Sequence, residues 1–162
     1  MQATGVARHR PAGHGEAVWA MGSLFEMKLH SEETGGALGL AEVTQPPGVA
    51  TPLHVHTREA EVFYVLSGTL AYEAGGELHQ LGEGSTMYLP MGVPHRFRIT
   101  GDTPARILAM VVPGGLLDLY AQVGVPAERR SVPALPDPEE FARWGATAPQ
   151  FGLEVLGPPL DA

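Results

Sequence analysis

From Leu24 to His30 the chain alternates. Phe25, Met27 and Leu29 fall on one face; Glu26, Lys28 and His30 fall on the other. A period of two marks a half-buried β-strand. After a turn at 32–36, Ala37 to Val43 reads as a second strand with Leu38 and Leu40 on one face. Pro46-Pro47-Gly48 ends it. A short strand over 53–56 follows, then a bend over 57–60. Residues 61–66 form a strand whose two faces are both apolar apart from Glu61: Glu61, Phe63 and Val65 on one side, Val62, Tyr64 and Leu66 on the other. Such a strand needs cover on both sides, from a barrel interior within and from another sheet or subunit outside. Turns at Ser67-Gly68, Gly75-Gly76 and Glu83-Gly84 separate further short extended pieces. Thr86 to Leu89 ends at Pro90-Met91-Gly92, and His95 begins a strand that sets Phe97 and Ile99 on its own face and Arg96 and Arg98 opposite. Ile107 to Val112 reads as one more buried strand.

The period changes after Pro113-Gly114-Gly115. Leu116, Leu117, Leu119 and Tyr120 recur at helical spacing. A proline-rich connection from Val125 to Pro136 follows, in which Arg129 and Arg130 are expected to be solvated. Asp137-Pro138-Glu139-Glu140 is a helix start, with Asp137 as cap, Pro138 in the first position and Glu140 reaching back. Phe141 and Trp144 would face inward, and Gly152 to Pro159 would be extended. The expected organisation is a flexible tail over 1–17, a β-barrel over 18–113, and helices and a tail packed on the barrel over 114–162. His9 and His14, in the first of these segments, are expected to be solvated.

Composition narrows the chemistry. The 162 residues suit one domain, and a 44% apolar content is enough for a core. The 21 glycines and 15 prolines suit many short strands joined by tight turns. A net charge of -8 offers no basic stripe for phosphates, so no nucleic-acid partner is expected. The chain has no cysteine, which removes disulfides, thiolate metal sites and cysteine nucleophiles. No apolar run is long enough to span a membrane, and no basic-led apolar run opens the chain. The expected location is cytoplasmic.

The candidate chemistry lies between Gly48 and His95. His54 and His56 are two apart, so a strand presents both on one face. Glu61 can join them after the bend, and His95 arrives from another strand. Neutral imidazoles supply lone pairs, and a carboxylate offsets part of a dication's charge. The set points to one divalent transition metal per chain: Fe, Mn, Co, Ni or Zn. A six-coordinate ion would keep two positions for water or substrate. His79 matches no ligand position and is expected at the surface or behind the site. Glu59 is expected to be solvated, or bonded to Arg58 or another outer group.

Two motifs carry a resemblance. Gly48, His54, His56, Glu61 and Gly68 follow the pattern glycine, five residues, His-x-His, four residues, glutamate, six residues, glycine. Gly84, Pro90, Gly92 and His95 follow a second pattern, with Ile99 where asparagine is usual. Both patterns, over roughly residues 22–113, resemble the cupin superfamily. The short spacer from Thr69 to Glu83 resembles compact single-domain microbial cupins. The helix after Pro113-Gly114-Gly115 and the Gly152-Leu153-Glu154-Val155-Leu156-Gly157-Pro158-Pro159 ending are similar to small bacterial quercetin-2,3-dioxygenase-like cupins. The resemblance implies an all-β, single-domain jelly-roll barrel with short C-terminal helices. It implies metal ligation by His54, His56, Glu61 and His95, and a homodimer, since the edge strands of such barrels commonly need cover.

The resemblance further implies a metal-dependent dioxygenase that cleaves a flavonol or a related enolisable aromatic, with O2 as co-substrate. Glu61 would be its catalytic base, loosening from the metal to take a proton. Phe63, Phe97 and Ile99 are the expected pocket wall, suited to a small apolar or aromatic molecule. Lys28 is the only lysine, so no Schiff-base chemistry is expected near the site. The alternative is a binding or sensor cupin without catalysis, or a cupin isomerase or oxygenase of another substrate. An isomerase would need further acid and base groups, of which the inner faces offer few beyond Glu61.

Overall fold

The computed structural model describes residues 6–161. In chain order the strands are β1 (Ala17–Ala20), β2 (Ser23–Leu29), β3 (Gly39–Gln45), β4 (Pro52–His56), β5 (Ala60–Ser67), β6 (Leu70–Ala74), β7 (Glu77–Leu81), β8 (Thr86–Leu89), β9 (His95–Ile99) and β10 (Ala105–Val112). Helix α1 (Leu116–Val123), β11 (Val125–Pro126), helix α2 (Pro138–Thr147) and β12 (Leu153–Pro159) complete the order. Short 3-10 turns occupy Ser31–Thr34 and Ala148–Phe151. One antiparallel sheet runs β11-β1-β2-β3-β10-β5-β8, and the other runs β12-β4-β9-β6-β7. This is the jelly-roll expected: two sheets packed face to face around one core.

Alternation explains which residues fill the interior. On β5, Phe63 and Val65 are buried beside Glu61, while Tyr64 on the reverse face is 44% exposed. Among the described residues no second sheet covers that reverse face. On β3 the inward positions are Gly39, Ala41 and Val43, and Leu40 lies on the outer, half-buried side. Small residues there leave room for α1, whose Leu117 lies close to Gly39. From the other sheet Leu70, Tyr72, Phe97 and Ile99 point inward. The rings of Phe63, Tyr72 and Phe97 form a mutual cluster at 5.4–5.7 Å between centroids. Such aromatic pairs contribute about 0.5–1.5 kcal/mol each beyond the area they bury. The β5–β6 hairpin demands glycine at Gly68, where φ is 83° and a Cβ would meet Ala105 Cα at 2.6 Å.

Several charged groups behave differently from expectation. Residues 1–5 of the expected tail lie outside the described residues. Beyond them, Arg10 is not free: it donates to the Lys28 carbonyl at 2.5 Å and to Glu33 at 2.8 and 3.2 Å. Arg130 is exposed, as expected, and also donates to Glu26 at 2.5 Å and to the Gly15 carbonyl at 2.8 Å. Arg129 stacks over the Trp19 ring at 5.6 Å. Asp137 caps α2 through the Glu140 amide at 2.8 Å, as its sequence predicts. The Glu140 carboxylate does not reach back to the cap. It accepts a hydrogen bond from the Met21 amide and so ties α2 to the β1–β2 turn.

The Arg10–Glu33 clasp gives a pH prediction. The Arg10 hydrogen bonds, joined by the His30 amide, hold the Glu33 carboxyl at about 2 against an ordinary 4.5. A depressed carboxylate contributes stability that is complete above its ordinary value and is lost as pH falls toward the lowered one. Thermal unfolding of the wild type should therefore shift downward between pH 4.5 and about 2 more steeply than that of Glu33→Gln. Parallel curves for the two proteins would show that the clasp carries no stability.

Candidate metal centre

The site straddles the two sheets. His54 and His56 stand two apart on β4, and His95, the first residue of β9, sits directly opposite His54 in the strand register. Glu61 comes from the other sheet, on β5, between Leu89 of β8 and Val111 of β10. The loop before His95 is tied to the histidine strand by the Gly92 amide, which donates to the His56 carbonyl at 2.9 Å. Gly92 takes a positive φ of 84° there, a backbone state open to glycine at no steric cost. The turn in the second motif is thus what delivers the third imidazole.

One ring nitrogen from each of His54, His56 and His95 lies within 4.8 Å of the other two. Ring centroids are 4.2 Å apart for His54 and His95, and 4.8 Å for His56 and His95. The Glu61 carboxylate approaches His95 Nε2 at 3.6 Å, too long for a hydrogen bond. All four side chains are buried.

Backbone contacts set the tautomers. His54 Nδ1 lies 2.7 Å from the Pro52 carbonyl, and His95 Nδ1 lies 2.9 Å from the Val93 carbonyl. A carbonyl only accepts, so each Nδ1 carries the proton and each Nε2 keeps its lone pair. His95 Nε2 is buried with no hydrogen-bond partner among the described residues. Burial pushes the His54 imidazole down to about 3, with the neighbouring His95 and His56 adding to the effect. Burial likewise lowers His56, opposed by the Glu61 charge. For Glu61, burial pushes upward, but His56, then His95 and His54, outweigh it and hold the carboxyl below its ordinary value. The result is His54 and His56 held neutral beside one carboxylate, with the Nε2 lone pairs of His54 and His95 free. The three imidazoles and the orphaned Nε2 fit a divalent transition metal. Glu61, expected as a fourth ligand, stands beside His95 at 3.6 Å but outside the cluster of mutually close ligand atoms. Carbonyls bonded to ligating histidines are what such sites use.

A cavity of about 70 Å³ opens from His54, His56 and Glu61. Phe63 and Phe97 line it, as expected. Ile99 does not: it is 1% exposed and packs in the core beside Leu70, one register step further along β9 than Phe97. The side chain on the correct face lies too deep to reach the cavity. The rest of the wall comes from β2 and β3 (Ser23, Phe25, Val43, Gln45) and from the helices (Leu117, Tyr120, Phe141, Trp144). Phe141 shields the cavity from outside while remaining 43% exposed, so it is less buried than its spacing suggested.

Other site residues escaped the sequence. Glu59, expected in solvent or on Arg58, is 4% exposed with one carboxylate oxygen unpartnered. Arg58 instead donates to the Gln150 carbonyl at 2.8 Å. Burial raises the Glu59 carboxyl to about 7, with the Arg58 charge opposing and Glu61 adding. Tyr72 stacks near His95, with centroids 6.0 Å apart, and its hydroxyl is buried without a partner. Strand alternation with Leu70 places Tyr72 inward, but nothing local brings it to His95. Burial, then the Glu61 charge, raises its hydroxyl well above the ordinary range. The buried Gln45–Ser23 pair, 3.2 Å apart, had no sequence signal at all. His79 lies at the surface on β7, 3.9 Å from Glu77 and away from the centre.

The Cupin domain family model matches residues 41–111, which hold all four candidate ligands. The quercetin 2,3-dioxygenase of Bacillus subtilis (strain 168) is 26% identical over 155 residues, which is 93% of this chain and 46% of that protein. The chain thus spans about half the length of that relative. An uncharacterized protein of Methanocaldococcus jannaschii is 32% identical over 93 residues, 57% of this chain and 74% of its own length. Among solved structures, a predicted oxalate decarboxylase from Thermotoga maritima superposes with a TM-score of 0.57 at 24% identity, covering 66% of this chain and 99% of that one.

The purified protein should hold about one divalent metal per chain. Elemental analysis after exhaustive dialysis should show a near-complete loss in a His54→Ala/His95→Ala variant whose circular dichroism matches the wild type. Equal metal in the two proteins would remove the assignment. Loading in rich medium should favour the later metals of the first row, whichever the cell employs.

Proposed function

The chain belongs to the cupin superfamily, and from that premise we propose that it is a metal-dependent dioxygenase acting on a compact enolisable aromatic of the hydroxy-ketone type that flavonols contain. The observation that carries the reading is Glu61: a buried carboxylate, held anionic, beside three imidazoles and on the wall of an apolar cavity. A bound metal would polarise substrate oxygens and exchange electrons with dioxygen. Glu61 accepts the proton of the enol, and its buried position keeps that proton out of bulk water. Phe63 and Phe97 hold a flat ring and exclude solvent. The likeness to the Bacillus quercetin 2,3-dioxygenase supports the same class of chemistry.

Cavity size refines the substrate. Pockets for drug-sized ligands measure about 300–1,000 Å³, whereas this one measures about 70 Å³. A three-ring flavonol therefore enters only if α2 withdraws, and a single-ring enolisable hydroxy-ketone is the better fit. No lysine or arginine lines the cavity among the described residues, which argues against a phosphorylated sugar and hence against an isomerase of that substrate class. The small closed volume also suits a binding or sensor role, the second reading.

Apo protein reconstituted separately with Fe, Mn, Co, Ni and Zn, then given quercetin or a single-ring hydroxypyranone with and without air, decides between them. With a redox-capable metal, substrate absorbance should fall together with oxygen uptake and carbon monoxide release, faster for the smaller substrate. Glu61→Gln at matched metal content should lower turnover by about 10²–10⁴-fold and change binding far less. Binding with no oxygen uptake under any metal would replace the dioxygenase with a sensor.

We also propose a homodimer formed through the outer face of β5 and β8. Tyr64 and Tyr88 are exposed there beside half-buried Val62 and Leu66, and charged groups are absent from those four positions. Patches of this kind on a folded chain mark interaction surfaces. Light scattering should give twice the 17.1 kDa chain mass, and Tyr64→Glu should give the single mass. A monomeric wild type at high concentration would remove the dimer.

A further inference from the structure

Trp144 holds a polar atom that neither the fold nor the metal donors employ. It lies on α2, lines the cavity and is 6% exposed. Its Nε1 is buried with no hydrogen-bond partner among the described residues. Indole nitrogen is a donor only, so nothing but an acceptor can satisfy it. The second tryptophan provides a contrast: Trp19 Nε1 donates to the Ser131 carbonyl at 2.8 Å. Buried donors in folded proteins are paired in the great majority, and each exception calls for a specific explanation.

The placement of Trp144 is held from several sides. Glu140, four residues earlier on α2, accepts from the Met21 amide, and Met21 itself lines the cavity with an unusual positive φ of 52°. Arg143, the preceding residue, donates from Nε to the Val123 carbonyl at the end of α1 at 3.1 Å. Tyr120 of α1, stacked on Phe25 at 4.3 Å, shares the same wall. An indole anchored this way has little freedom to seek a partner elsewhere.

We propose that Trp144 is a specificity-determining residue of this site, its indole N–H donating to an acceptor oxygen of a compact oxygen-rich ligand whose other oxygens face His54, His56, Glu61 and His95. This rests on the reading of the site as one for enolisable hydroxy-ketones and adds a requirement to it: the ligand carries a further acceptor beyond the chelating pair. A site built around a buried donor rejects analogues that leave that donor unpaired. Phe25, Val43 and Leu117 around it offer no acceptor from their side chains; the Tyr120 hydroxyl lies beside the indole but does not pair with it in hydrogen-bond geometry.

The test uses the full-length protein loaded with zinc, which is diamagnetic and redox-inert, labelled with nitrogen-15. Two indole N–H resonances are expected, one per tryptophan. Kojic acid, a single-ring hydroxypyranone with a distal hydroxymethyl group, serves as the chelating probe. Azide serves as a probe that reaches the metal alone. On kojic acid binding the Trp144 resonance should move downfield and become protected from solvent exchange, while that of Trp19 stays fixed. Trp144→Phe should weaken kojic acid by about tenfold, as expected for loss of one hydrogen bond, and leave azide affinity within twofold. An unmoved Trp144 resonance, or equal kojic acid affinity in the variant, overturns the inference and leaves the dioxygenase reading standing. Equal weakening of both probes overturns it as well, since Trp144 would then only support the fold. Should the variant not fold, the wild-type resonance decides alone. Failure of the zinc-loaded wild type to bind kojic acid removes the substrate class and this inference together.

Discussion

Putting three imidazoles and a carboxylate inside an apolar barrel is the constraint on which the rest of the structure turns. Burial penalises every charged form, and it dominates the shifts at His54 and His56. The protein answers with neutral rings at His54 and His56 and with backbone carbonyls that orient His54 and His95. Pro52 and Val93 contribute carbonyls, and strand pairing sets His54 against His95. At Glu61 burial and the surrounding histidines act in opposite directions, and the carboxyl lies below its ordinary value. A half-satisfied polar cluster in a core is costly, and a cation at the centre is what completes this one.

The same constraint explains why the second sheet and the helices matter. A donor set split between two sheets keeps its geometry only if the sheets stay in register. The Phe63–Tyr72–Phe97 ring cluster lies across that join. Helices α1 and α2 then close the cavity, and the Glu140–Met21 and Arg143–Val123 hydrogen bonds fasten α2 in place. The consequence is a small chamber beside the candidate ligands, walled largely by apolar side chains, where electrostatic interactions act at lowered dielectric and ligand size is read directly.

Much of the strand order was legible in the chain because a period of two survives any tertiary context. The candidate ligands were legible for a related reason: His54 and His56 share a face by local geometry, and glycine and proline mark the turn that precedes His95. The depth of a side chain along a strand was not legible. Phe97 and Ile99 share a face, yet only Phe97 reaches the cavity. Nor were the partners of charged groups. Glu140 bonds to Met21, 119 residues away, rather than to its own helix cap. Arg10 and Arg130 bond across 23 and 104 residues to carboxylates on other elements.

The sequence by itself determined the all-β class, the turns, the capped second helix and the three histidines that the fold brings together. Those features rest on interactions between residues a few positions apart, and their chemistry is written in residue type and spacing. Only the tertiary structure decided that Glu59 is buried, that Tyr72 lies against His95, that Trp144 brings an unpaired donor to the cavity, and that the cavity is small. Each of these depends on which distant segments meet, and how closely. That is set by the packing of two sheets and two helices against one another, and no local pattern in the chain encodes it.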